Sequence, residues 1–198
     1  MKRSAVIFDL DGTLTRPYLD FDAIRAEIGI SAGPILEAIA AMPMEKQPRA
    51  RSILLEHEWE AARNVELYDG AVEIVLHCRR AGHPTALLTR NTRAIVDYLI
   101  ESRGFVFDAI RTREDGAIKP SPVPVLSLCK EVGADPANSW VVGDFLFDLE
   151  SGRSAGARTV LMIGDDDLPD YASKANFVIR RLEELTGILS GGIATELI

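Results

Sequence analysis

The chain has 198 residues, enough for one sizeable hydrophobic core and a small accessory module. Apolar residues make up 47% and charged residues 26%, an ordinary balance for a water-soluble protein. The formal net charge of -8, with no basic stripe to offset it, excludes nucleic acid as an expected partner. Phosphate substrates stay open, because a bound cation and local dipoles can reverse the field inside a site.

Met1 to Phe8 has a basic start, but its apolar run spans only Ala5 to Phe8 before Asp9. That is too short for a signal peptide, and no stretch approaches the length of a membrane helix. A cytoplasmic protein without membrane attachment is expected. Ser4–Phe8 reads as the first strand. Helices follow over Phe21–Ile28, which Gly29 is placed to stop, Pro34–Ala41 and Pro48–Asn64, with both prolines suited to first-turn positions. Asp69 reads as the N-cap of a further helix ending before Gly82. Later strands are expected at Pro84–Leu88, Val106–Ile110, Ser139–Val142, Thr159–Met162 and Asn176–Ile179, with a helix near Val123–Glu131. Cys78 and Cys129 lack metal-ligand spacing and fall in apolar runs, so both are expected as buried free thiols in a reducing compartment.

Short apolar runs alternating with longer amphipathic ones predict an α/β fold with a doubly wound, mostly parallel, Rossmann-like sheet. The long gap between the first and second strands is helical. Residues 1–15 and 69–198 are therefore expected to form the core, with 16–68 a small helical cap able to cover the sheet's carboxyl edge, where ligands bind in such folds. Ile35, Leu36, Ile39 and Met42 are expected to pack on that core or on another subunit, in a monomer or a homodimer.

The strongest chemical signal is Val6-Ile7-Phe8-Asp9-Leu10-Asp11-Gly12-Thr13-Leu14. An apolar strand delivers two carboxylates two residues apart, and a glycine then lets the chain turn. Asp9 at the strand end is placed to attack phosphorus if a cation screens the repulsion, and Asp11 to act as general acid and then base. A hairpin reading lacks an adjacent antiparallel strand. A calcium-loop reading fails because Leu14 and Asp20 stand where glycine and glutamate are needed. Further along, Ala86-Leu87-Leu88-Thr89 ends a strand with a hydroxyl suited to a phosphoryl oxygen, and Asn91 is placed to cap the next helix. Lys119-Pro120 lies in a polar loop. Trp140-Val141-Val142-Gly143-Asp144 brings a carboxylate to another strand end, and Asp148 stands one turn into the helix beyond.

Taken together, the order Asp-x-Asp-Gly-Thr, Thr, Lys-Pro, Gly-Asp-x-x-x-Asp resembles the four motifs of the haloacid dehalogenase superfamily, from Ser4 to about Gly156. The helical insertion resembles the cap of its phosphoglycolate-phosphatase-like branch, although it is short for that group. The resemblance implies a magnesium-dependent phosphatase acting on small phosphate monoesters through an aspartyl phosphate, with 2-phosphoglycolate or a related acidic or sugar phosphate as substrate. A phosphomutase, or a phosphate-ligand binder without turnover, is the alternative. By the same resemblance Asp9 is nucleophile and Mg2+ ligand, and Asp11 is acid–base and a Mg2+ ligand through its carbonyl. Thr89 holds the phosphoryl group, Lys119 offsets charge, Asp144 ligates Mg2+, and Asp148 orients metal-bound water or Lys119. Arg16, Arg90 and Asn91 are candidate substrate contacts, the arginines for a second anionic group.

Overall fold

The computed structural model of the protein describes residues 3–191. Six strands form one all-parallel sheet: β1 (Val6–Phe8), β2 (Thr85–Leu88), β3 (Ala109–Arg111), β4 (Trp140–Gly143), β5 (Arg158–Met162) and β6 (Phe177–Ile179). β1, β2 and β4 are buried along their whole length, as strands covered on both faces must be. Ile7, Ala86, Leu88 and Val141 share one face, where α6 (Val123–Glu131) packs with Val125, Leu128 and Cys129. α7 (Leu146–Ser154) packs beside it, while α4 (Ala71–Arg80) packs with α8 (Leu185–Leu189). Cys78 and Cys129 are both free and buried, and burial pushes the Cys78 thiol up to about 12.

The strand order is β3-β2-β1-β4-β5-β6. The chain therefore winds outward from β1 in one direction, then returns to its other side for β4. This reversal opens a crevice at the carboxyl ends of β1 and β4. There the Asp9 N–H donates to the Val142 carbonyl at 2.9 Å.

The chain divides into two compact units: Pro17–Val65, and Met1–Arg16 together with Glu66–Ile198. The first holds α1 (Phe21–Ile28), α2 (Ile35–Ala41) and α3 (Gln47–Asn64). Gly29 ends α1 in the left-handed region at φ 85°, its N–H reaching the Arg25 and Ala26 carbonyls. Ile24, Ile35, Ile39, Ala50 and Leu54 form this unit's own core, with Leu36 and Met42 packed against it. Burying an isoleucine or leucine contributes roughly 1.5–3 kcal/mol, so these side chains do most for stability by meeting one another. Ile35 and Ile39, expected to pack on the α/β core or on another subunit, are instead buried in this unit's own core.

Three local expectations also shift. α4 starts after Gly70, at φ 78°, with no side-chain cap, so Asp69 stands one residue too early to serve as N-cap. α5 (Arg93–Arg103) has Thr92 rather than Asn91 at its N-cap position. β3 begins at Ala109 instead of Val106, because the Asp108 carboxylate takes the Thr85 N–H at 2.8 Å where a ladder bond would otherwise start. No described helix is long and apolar enough to cross a membrane.

Candidate active site

Three strand ends and one loop of the α/β unit deliver polar side chains to the crevice. After β1 the chain coils tightly: the Leu10 carbonyl accepts from the N–H groups of Thr13, Leu14 and Thr15. Gly12 makes this possible at φ 82°, and a Cβ there would sit 2.3 Å from Asp144 Oδ2. Gly143, at the end of β4, gives equal room to the next carboxylate, since a Cβ there would lie 2.2 Å from Asp148 Cγ. Both carboxylates thus lie flush against backbone.

Lys119 is the hub. Its side chain is 3% exposed, and its Nζ lies 2.6 Å from Asp9 Oδ1 and 2.6 Å from Asp148 Oδ1. Asp148 is the third residue of α7, and its Oδ2 accepts from the Phe145 N–H at 3.2 Å, so both its oxygens are engaged. Asp144 Oδ1 accepts from the Thr13 hydroxyl at 2.9 Å, and the Tyr171 hydroxyl donates to the Asp144 carbonyl at 3.2 Å. Asp9, Asp144 and Asp148 each offer an oxygen within 4.8 Å of the others.

On the β2 side, Thr89 is buried at the strand end and its N–H donates to the Arg111 carbonyl. Its Oγ1 accepts from the Asn91 N–H at 3.1 Å. Asn91 Nδ2 donates to Asp11 Oδ2 at 3.3 Å. Both candidate guanidinium groups stack on rings: Arg16 lies 4.9 Å from the Tyr68 centroid and Arg90 lies 4.8 Å from that of Phe147. Such stacking holds a planar cation against a ring face.

The electrostatics are those of a site short of positive charge. Burial pushes Asp9 well above the usual carboxylate range; Lys119 opposes this, while Asp148, Asp144 and Asp11 add to it. Burial and the neighbouring Asp148 carry Asp144 up to about 7. Asp11 is raised by burial, against the opposing Asn91 hydrogen bond and Lys119. Burial alone would lower Lys119, but Asp148 and Asp9 reverse the sign, so it stays an ammonium. One cation among four carboxyl groups leaves negative charge in excess. An all-oxygen donor set of this kind fits a hard divalent ion.

The structure thus brings Asp9, Asp144, Asp148 and Lys119 together, with Asp11, Thr89 and Asn91 in one chain of hydrogen bonds beside them. Sequence reasoning gave Thr13 and Tyr171 no part. Thr13 stood in view inside Asp-Gly-Thr, whereas nothing local marks Tyr171.

Residues 15–162 match the model of the haloacid dehalogenase-like hydrolase family. An uncharacterized hydrolase of Saccharomyces cerevisiae is 35% identical over 167 residues, covering 80% of this chain and 76% of that one. N-acetylmuramic acid 6-phosphate phosphatase of Pseudomonas aeruginosa is 28% identical over 220 residues, covering 96% of each. Among solved structures, a hydrolase from Pseudomonas syringae superposes with TM-score 0.81 over 98% of this chain and 100% of that one, at 20% identity.

Proposed function

The chain belongs to the haloacid dehalogenase-like hydrolases and is a phosphatase, and on that premise we propose that it uses magnesium to hydrolyse small phosphate monoesters through a phosphoryl group carried on Asp9. The observation that carries this reading is the Asp9–Lys119–Asp148 arrangement at the switch point, with Asp144 beside it. Both Asp148 oxygens are engaged, by Lys119 and the Phe145 N–H, whereas Lys119 takes only Oδ1 of Asp9, which leaves Asp9 and Asp144 as side-chain ligands for magnesium. When bound, that ion neutralises charge on the phosphate and on both carboxylates.

In the first step an Asp9 oxygen attacks phosphorus and the ester P–O bond breaks. Asp11 gives its proton to the leaving alcohol. In the second step water attacks the same phosphorus while Asp11 takes its proton, and the Asp9–phosphorus bond breaks to release inorganic phosphate. Thr89, at the end of β2, holds a phosphoryl oxygen. The Lys119 ammonium balances charge on Asp9 and the phosphoryl group, the kind of positioned electrostatic help on which phosphoryl transfer mainly depends. For substrate, the 96% coverage by an N-acetylmuramic acid 6-phosphate phosphatase supports a sugar phosphate or small acidic phosphate ester. Arg16 and Arg90 are the cations for its second anionic group.

Phosphate release from a panel of phosphate monoesters tests this reading, with magnesium or EDTA and with the native protein or Asp9→Asn. Release that needs magnesium and disappears in Asp9→Asn is expected. Release unchanged by EDTA, or retained by Asp9→Asn, would overturn it.

A further inference from the structure

Asn91 is buried, 5% exposed, and its side-chain amide has partners at both ends. Its Oδ1 accepts from the Thr92 N–H at 2.9 Å, so the group turned toward Asp11 must be the amide NH2. That NH2 donates to Asp11 Oδ2 at 3.3 Å, across 80 positions of sequence. The Asn91 N–H meanwhile donates to Thr89 Oγ1. One buried residue therefore ties the end of β2 to the carboxyl group that follows β1. From this geometry we infer that Asn91 is a positioning residue that holds Asp11 in the rotamer needed for proton transfer to the leaving alcohol.

The inference rests on the acid role of Asp11 proposed above and adds a cause for its direction. A protonated carboxyl group has one good acceptor, its carbonyl oxygen, and one hydroxyl. With an N–H donor fixed on Oδ2, the Asp11 carboxyl plane is held in one orientation. Asn91 thereby restrains the Asp11 side chain without itself taking part in the proton transfer. The link to Thr89 sets the phosphoryl grip and the proton donor from one peptide segment. Misplacing a catalytic group by about 1 Å can cost about 10²-fold in rate.

A positioning role of this kind separates substrates by leaving group. A p-nitrophenolate leaves without a proton, whereas a sugar or glycerol alkoxide does not. Asn91→Ala should slow leaving-group release in a single turnover, which reports the first step alone, by about 10- to 100-fold for an alkyl phosphate, and by at least tenfold more than for p-nitrophenyl phosphate, with KM moving less. Asn91→Ser keeps a polar side chain, too short to reach Asp11, so it should show the same split, with the melting temperature of both variants recorded to separate it from loss of fold. Asp11→Asn and Asp9→Asn run alongside. An equal loss on both substrates in the Asn91 variants, with the split retained in Asp11→Asn, would overturn the role of Asn91 alone. An effect confined to KM would make Asn91 a substrate contact and overturn it too. Equal losses of single-turnover leaving-group release in Asp11→Asn would remove the acid role and this inference with it, and activity surviving in Asp9→Asn would remove the mechanism altogether.

Discussion

The two edges of the sheet use the same residue types to opposite ends. At the amino edge, side chains close the backbone: Asp108 accepts from the Thr85 N–H, Ser139 from the Ala5 N–H and Asn176 from the Thr159 N–H. The Ser4 hydroxyl pairs with the His83 ring at 2.7 Å. Each polar atom finds a neutral or oppositely charged partner, so burial there is compensated. At the carboxyl edge the carboxylates of Asp9, Asp144 and Asp148 crowd within reach of one ion, against a single ammonium. Saturation, rather than residue type, separates a structural aspartate from one held ready for chemistry.

This contrast is sharpest at Asp9. Asp9→Asn should abolish turnover, a loss of at least about 10³-fold, yet keep or raise the melting temperature, because it removes one charge from an overloaded cluster. A melting temperature well below native would break the comparison, since Asp9 would then be a structural anchor as well. Lys119→Met comes next, and it alone at this edge should lose both properties. It strands Asp9 and Asp148 without their cation, at a cost of about 3–5 kcal/mol in chemical denaturation together with most of the turnover.

At the other edge, Asp108→Ala orphans the Thr85 N–H and ends the Arg79 pair at 2.8 Å. A loss of about 1–3 kcal/mol is expected, with kcat and KM at native values. A fall in kcat would show that the two edges are not separable.

Asp115 provides the finest test, because it lies beyond the carboxyl end of β3 and yet is neutralised by a cation and two further donors. Its Oδ2 accepts from the Thr112 N–H and hydroxyl and pairs with Arg93 at 2.8 Å. Burial pushes its carboxyl up, but the Thr112 bonds and Arg93 outweigh it, and the group ends below the usual range. A carboxyl depressed on folding adds stability above its unfolded pKa and loses it as pH falls through the folded one. Asp115→Asn should therefore flatten the acid limb of the stability curve, by about 0.2–1 kcal/mol for so exposed a pair, and leave activity alone. Melting temperatures from pH 2 to 7 measure this.

The sheet was legible because its strands are short apolar runs with helices between them. The convergence of Asp9, Thr89, Lys119 and Asp144 was legible because each ends such a run or follows it. What escaped was pairing across long separations. Asn91 read locally as a helix cap, since nothing near it in sequence announces Asp11. Val106 and Phe107 have the composition of a strand, but the fate of the Thr85 N–H is decided by Asp108 after folding. Ile35 and Ile39 marked an apolar face without saying which surface it would meet, and the answer came from the three helices closing on themselves.

The bare backbone at Gly12 and Gly143 extends the site's vulnerability to residues with no functional group at all. A methyl at either position would occupy the space of a neighbouring carboxylate, 2.3 Å from Asp144 and 2.2 Å from Asp148. In a survey of all single substitutions these two glycines should therefore score like the acids they adjoin, with alanine already intolerable and larger residues little worse. The chemistry of the crevice is written partly in atoms that are missing, and inheritance must guard those absences as strictly as the carboxylates themselves.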